Sequence, residues 1–209
     1  HQTLALCPLR RVDEASERIW AADYIETLLM LQKFEVLSHH RNAIRDALLL
    51  LANSDVDRRS MTEFVAAVQN TEIQEAMRFY TLAGDNEMLD ATADNLGVGR
   101  FQVFEMEHLM KMSDRHAVPV LLYLFRCVER RLDGSPTLLE LDEAWLMLQH
   151  PIFMEKIKEW LKVLRKKNCA VVFATQSISD VGKSAIRDVV YESCFTKILL
   201  PNATAFDEE

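Results

Sequence analysis

Two adjacent carboxylates, Asp142 and Glu143, close the apolar run Thr137-Leu138-Leu139-Glu140-Leu141. Such a run reads as a strand. A strand that ends in acids sets them at the C-terminal edge of a sheet, where open α/β folds bind ligands. In nucleotide hydrolysis the first acid of such a pair helps hold Mg²⁺, and the second orients or activates the attacking water. A second apolar run, Ala170-Val171-Val172-Phe173-Ala174, leads into Thr175-Gln176-Ser177. An amide at Gln176 can hydrogen-bond a γ-phosphate or the attacking water, and Thr175 stands beside it as a nucleotide contact. Each signal has a plainer reading. Acids favour the first turn of any helix, and Ser177 and Ser179 are good helix caps. The pairing of the two strands, in this order, favours the hydrolytic reading. Glu140 interrupts the apolar pattern and by alternation shares a face with Asp142. It is expected to be paired or partly solvated near the strand edge, and no catalytic role is assigned to it.

Arg165-Lys166-Lys167 closes the helix expected before the second strand. Favourable charge at a helix C-terminus explains it. The alternative is a finger reaching a neighbouring subunit's nucleotide, for which the guanidinium of Arg165 suits phosphate better than ammonium does. Gly182-Lys183-Ser184 follows a strand and precedes a helix, as a phosphate-cradling G-x-x-x-x-G-K-[ST] loop does. The position of that motif's first glycine is Ser177, however, and Asp180 would set a negative charge beside the phosphates. The loop is therefore read as a surface connection. Arg10-Arg11 and Arg58-Arg59 read as solvated loop charges, and His39-His40 as a capping or surface pair. The six histidines have no HExxH or other ligand spacing, so no zinc site is expected. The four cysteines, Cys7, Cys127, Cys169 and Cys194, lack CxxC spacing and read as reduced, buried thiols.

The elements that must position these residues follow from periodicity. Thr3–Leu6 reads as a short buried strand ended by Pro8. Helices are predicted over 13–31, 42–51, 60–68 (opened by the capping-box pattern Ser60-Met61-Thr62-Glu63) and 71–80, with a last turn over 88–96. No strand is expected between Phe34 and Asn95. Strand character returns at Phe101–Glu105, followed by a helix over 117–132 and a turn at Gly134-Ser135-Pro136 into the acidic strand. A helix over 151–167, the second strand, a helix over 184–192 and a strand over 197–200 complete the chain. Strands alternating with helices predict a mainly parallel sheet with helices on both faces. The helical block between them reads as an inserted lobe, giving an α/β core of residues 1–33 and 97–209 and an all-α lobe of residues 34–96.

With 24 basic against 32 acidic residues the net charge is −8, which disfavours a broad nonspecific nucleic-acid surface. Apolar residues make up 49%, yet no run approaches the ~20 residues of a membrane span. The chain opens on an apolar run without Met or a signal-peptide pattern, and is expected to be a piece of a longer protein.

Several segments together resemble one family: Cys7-Pro8-Leu9, Glu17–Ala22, Phe101–Glu107, Pro136–Leu139, Leu141–Trp145, Trp160–Lys166 and Ala174–Ser177. They are similar to the C-terminal motor domain of TrbE-type conjugal transfer ATPases, the VirB-type energising ATPases of type IV secretion systems. The resemblance covers nearly the whole chain. It implies a RecA-like P-loop NTPase core with a helical insertion, ATP and Mg²⁺ as cofactors, and a homo-oligomeric ring or dimer. It also implies docking at the cytoplasmic side of the bacterial inner membrane, other secretion-channel subunits as partners, and pilus assembly or transfer of DNA or protein as the work done. Asp142 and Glu143 align with the family's Walker B acids, with Asp142 holding Mg²⁺ through water. Gln176 aligns with a motif glutamine, and Arg165 lies in an Arg-Lys motif. The family's Walker A loop is expected just upstream of Leu4, so this segment alone is expected to bind ATP weakly or not at all. Two other readings stay open: a DNA-translocating motor of the coupling-protein or FtsK type, and a non-enzymatic assembly module.

Overall fold

The structure, a computed structural model, describes residues 4–97, 99–142, 151–174, 182, 187–198 and 200. The chain divides into two compact units, His1–Cys127 and Val128–Glu209.

The first unit is helical. Helix α1 (Ala15–Leu31) buries Ala21, Ile25, Leu28 and Leu29, and α2 (Ser38–Ala52) buries Ile44, Ala47, Leu48 and Leu51. The first set runs i, i+4, i+7, i+8 and the second i, i+3, i+4, i+7, each of which makes one apolar stripe. Short helices α3 (Met61–Ala67) and α4 (Thr71–Met77) add Met61, Phe64, Ile73 and Met77 to the same core. Each is capped as its sequence requires: Ser60 Oγ accepts from the Glu63 amide at 3.3 Å and Asn70 Oδ1 from the Ile73 amide at 2.9 Å. The capping box at Ser60 is only half formed, because the Glu63 carboxylate turns to Arg58 at 3.3 Å instead. Helix α4 tightens into a 3-10 turn over Arg78–Tyr80, and only Glu87–Leu89 forms the turn expected near residue 88. Helix α5 (Glu107–Met110) is one turn long, and α6 (Asp114–Arg131), whose last turn from Val128 onward belongs to the second unit, carries Pro119 in its second turn.

Two expected strands do not form among the described residues of this unit. Leu4–Cys7 is extended but bonds to an irregular partner: the Leu6 amide donates to Met88 O (2.8 Å), Leu6 O accepts from Ala91 and Ala5 O from Asn95. Side chains complete it, with Asp94 accepting from the Cys7 amide at 2.7 Å and Asn95 from Ala5 at 2.9 Å. A ladder needs a second extended backbone, and here two loop amides, the Met88 carbonyl and the side chains of Asp94 and Asn95 take its place. Phe101–Glu105 has the alternation of a strand but joins no strand ladder among the described residues; the Gln102 side chain donates to Gly97 O instead, and Phe101 and Val103 are exposed.

Arg59 corrects another expectation. It is buried, not a solvated loop charge. Its guanidinium donates to the carbonyls of Arg10 (3.0 Å), Ser54 (3.1 Å) and Ala52 (3.4 Å) and pairs with Asp13. His40 takes the capping role expected of the pair: it is buried, with Nδ1 accepting from the amide of Leu37 at the start of α2 at 3.1 Å, while His39 stays exposed. Cys7, Cys127 and Cys169 are buried free thiols, whereas Cys194 is half-buried.

The second unit holds the sheet. Strands β1 (Thr137–Leu141) and β2 (Cys169–Phe173) are parallel neighbours, joined through α7 (Pro151–Val163) and a 3-10 turn over Leu164–Lys167. Parallel strands require a crossover of this length, and the intervening helix supplies it. Helix α7 turns Phe153, Ile157 and Trp160 inward, with Leu164 one turn on, and packs with α8 (Arg187–Ser193). Lys197 and Ile198 form no strand, contrary to expectation, and Ile198 is exposed. Among the described residues no helix is long and apolar enough to cross a membrane.

Candidate functional site

The register of β1 and β2 pairs Thr137 with Cys169 and Leu141 with Phe173, one residue at a time. The Ala174 amide extends the ladder by donating to Leu141 O at 3.0 Å. Asp142 and Ala174 therefore leave the sheet side by side, at its C-terminal edge. Asp142 sits exposed in the turn that follows β1. Glu143, Thr175 and Gln176 lie outside the described residues, as does Lys183 of the Gly-Lys-Ser loop. The structure thus brings the two strand ends together.

Alternation divides the strand pair into two faces. Thr137, Leu139, Leu141, Cys169, Val171 and Phe173 share the more buried one. Leu138, Glu140, Ala170 and Val172 are exposed on the other. Glu140 is accordingly a solvated carboxylate, one of the two outcomes expected for it.

The opposite end of the strand pair is stitched. Gly134 takes φ 95° and Asn168 takes φ 57°, both in the left-handed region. Glycine enters that region freely, and asparagine is among the few other residues that tolerate it. These turns let Asn168 Nδ2 donate to Gly134 O at 3.1 Å and the Thr137 amide donate to Asn168 O at 3.1 Å. Gly134 was legible as a turn residue, whereas nothing local marked Asn168 as the tie between the strand starts.

Arg165, Lys166 and Lys167 are exposed in the 3-10 turn that ends α7. Their placement satisfies the helix-terminus reading and leaves the guanidinium accessible to a partner. The helix itself is held by residues that periodicity did not single out. Glu129 Oε1, in the last turn of α6, accepts from Trp160 Nε1–H at 2.6 Å and lies 2.6 Å from Lys156 Nζ. A Glu on a helix with a wide apolar face and a Lys one turn before a buried Trp were the available signals.

The donor chemistry fits a magnesium nucleotide. Mg²⁺ prefers hard oxygen ligands, keeps several waters, and is commonly bound by one or two carboxylates plus phosphate oxygens. Asp142 offers such a carboxylate at a solvent-facing strand end. No cluster of three or more His, Cys, Asp or Glu exists among the described residues. A separate groove of about 550 Å³ lies beside α2, lined by His39, Asn42, Asp46, Leu50, Asn53 and Gln69 among others. It contains no Lys, Arg or Gly, and sets the Asp46 carboxylate where a triphosphate needs guanidinium or ammonium groups. Cys7 is no candidate nucleophile: burial, helped by the nearby Asp94 charge, pushes its thiol up to about 12.

Comparison with known proteins gives a consistent result. Residues 39–208 match the TraG P-loop domain. The chain is 53% identical over 205 residues to a probable conjugal transfer protein TrbE of Sinorhizobium fredii, covering 98% of this chain and 31% of that protein. It is 52% identical over 205 residues to the conjugal transfer protein TrbE of Rhizobium radiobacter, covering 98% of this chain and 25% of that one. A type IV secretion system protein virB4 of Bartonella henselae is 25% identical over 210 residues, or 98% of this chain and 27% of the relative. The chain therefore spans about a third or less of the length of these relatives.

Proposed function

Because the chain belongs to the TraG P-loop domain family, with TrbE and VirB4 proteins as relatives, we propose that it is the hydrolytic part of an ATP-driven type IV secretion motor. The observation that carries this reading is the parallel pair β1–β2, whose ends leave Asp142 and Ala174 level with one another. That arrangement brings the chain into Glu143 and the chain into Thr175 and Gln176 to one sheet edge.

In this reading Asp142 would hold Mg²⁺ through water, and the ion, when bound, would supply charge neutralisation for the phosphate oxygens. Glu143 accepts a hydrogen bond from the attacking water and orients it in line with the γ-phosphate. Thr175 and Gln176 donate to γ-phosphate oxygens, and the Gln176 amide registers their loss after cleavage. Arg165, exposed at the end of α7, reaches the nucleotide of a neighbouring copy in a homo-oligomer. Residues 1–33 and 97–209 act as a RecA-like core, with residues 34–96 as its inserted helical lobe. The motor works at the cytoplasmic side of the bacterial inner membrane with other secretion-channel subunits. It powers pilus assembly and transfer of protein or DNA.

The test is ATP turnover by the full-length protein and its Glu143→Gln variant. Loss of a positioned base typically costs about 10²–10⁴-fold in rate. The expected result is a loss of that size in kcat with nucleotide binding retained. Undiminished turnover in the variant overturns the role given to Glu143.

A further inference from the structure

The geometry points to Glu129 as a positioning residue for Arg165, an inference that rests on the hydrolytic reading and the trans role given to that arginine. Helix α7 buries an apolar face made by Phe153, Ile157 and Trp160. Apolar packing is non-directional, so it fixes which side of a helix faces inward far better than it fixes rotation or axial position. Two directional contacts supply what is missing. Lys156 and Trp160 lie at i and i+4, one above the other on the same flank of α7. Both converge on one oxygen of Glu129, each at 2.6 Å.

The clamp sits in partial burial. Trp160 is 3% exposed, and the side chains of Lys156 and Glu129 are only 20% and 16% exposed. Ion pairs of this kind contribute little net stability, because desolvation offsets attraction. Their value lies in geometry: a group held at two points one turn apart resists both rotation and sliding. Helix α7 runs without an irregular break into the segment that carries Arg165. Its last residue, Val163, is succeeded directly by the 3-10 turn Leu164–Lys167, and then by Asn168 and β2. Leu164 is buried, and the 3-10 turn packs on β2. A shift of α7 along its axis is therefore passed to Arg165 rather than absorbed before it. Misplacing a transition-state contact by about 1 Å costs up to about 100-fold in rate.

Two readouts in the full-length protein test this. The first is hydrogen exchange of the amides over residues 164–169. Glu129→Ala is expected to speed it several-fold, whereas Glu129→Gln, which keeps a carbonyl oxygen for Trp160 Nε1–H, stays close to the parent. Unchanged exchange in Glu129→Ala overturns the clamp, whatever the activity. The second is kinetics. Glu129→Ala is expected to lower kcat about tenfold with KM for ATP within about twofold, to be largely rescued by Gln, and to add nothing to Arg165→Ala. Losses that multiply in the double variant overturn the coupling to Arg165. Faster exchange without any effect of Arg165→Ala itself retains the clamp and refutes the finger reading instead. If Glu129→Ala does not fold, Lys156→Met removes one of the two anchor points, and a parent-like exchange pattern there overturns the proposal equally.

Discussion

Replacing Arg59 by Ala removes a guanidinium that ties its own neighbourhood, through the carbonyls of Ala52 and Ser54, to a segment more than 40 residues away, through the carbonyl of Arg10 and the carboxylate of Asp13. The ion pair is the smaller contribution. Asp13 is 53% exposed on its side chain, so water screens it and replaces the lost partner. That term is worth about 0.5 kcal/mol or less. The carbonyls dominate, because they lose a charged donor. Net hydrogen bonds run at about 1 kcal/mol each, and those to charged groups somewhat higher. Counting the 3.4 Å contact to Ala52 at reduced weight gives a destabilisation of about 3 kcal/mol. For a unit of this size that is about 10 °C in melting temperature. Urea unfolding of Arg59→Ala followed by far-ultraviolet circular dichroism reads it directly. Two companions separate the terms: Asp13→Asn is expected to cost under about 1 kcal/mol, and the Arg59→Ala loss is expected to be nearly the same at low and high salt. A loss below about 1 kcal/mol in Arg59→Ala, or one that disappears in high salt, refutes the view that carbonyl ligation holds this region.

The Cys7 thiol, held at about 12 against an ordinary 9.0, ionises in the unfolded chain before it does in the folded one. The unfolded state therefore binds fewer protons between those values, and stability is expected to fall as pH rises from about 9 towards about 12; Cys7→Ala flattens that slope, and an identical slope in the variant refutes the assignment. Half-buried Cys194 is expected to react with a thiol reagent before Cys7 in the native protein, which peptide mapping after brief labelling decides. Gly134→Ala meets no atom within 4 Å but must hold φ 95°, so a loss of about 1–2 kcal/mol is expected from backbone strain alone. A neutral outcome in thermal melts shows that the turn relaxes.

Much of this architecture was legible because single residues repeated at a readable period. Ile44, Ala47, Leu48 and Leu51 announce α2, and the apolar runs before Asp142 and Thr175 announce β1 and β2. What failed is equally specific. Phe101-Gln102-Val103 has the alternation of a strand, but a strand exists only against a partner, and no local pattern reports whether one is present. Leu6 was rightly read as buried, yet its hydrogen bonds go to Met88 and Ala91, about 80 residues away. Arg59 looked like half of a surface pair because sequence shows charge and hides ligation. Of the candidate site, the adjacency of the two strand ends follows from the order strand, helix, strand. The clamp of Glu129 on Trp160 and Lys156 does not, since it depends on how one helix lies against the turn of another.

The tie at Gly134 and Asn168 also limits how the sheet can deform. Slipping β1 past β2 by one residue, about 3.3 Å, would tear both bonds of that tie along with the ladder. Splaying the pair from its far end would leave them intact. The tie therefore sets slip at a higher cost than opening like a pair of tweezers, hinged at Gly134 and Asn168 and widest at the acidic tip, five paired positions away.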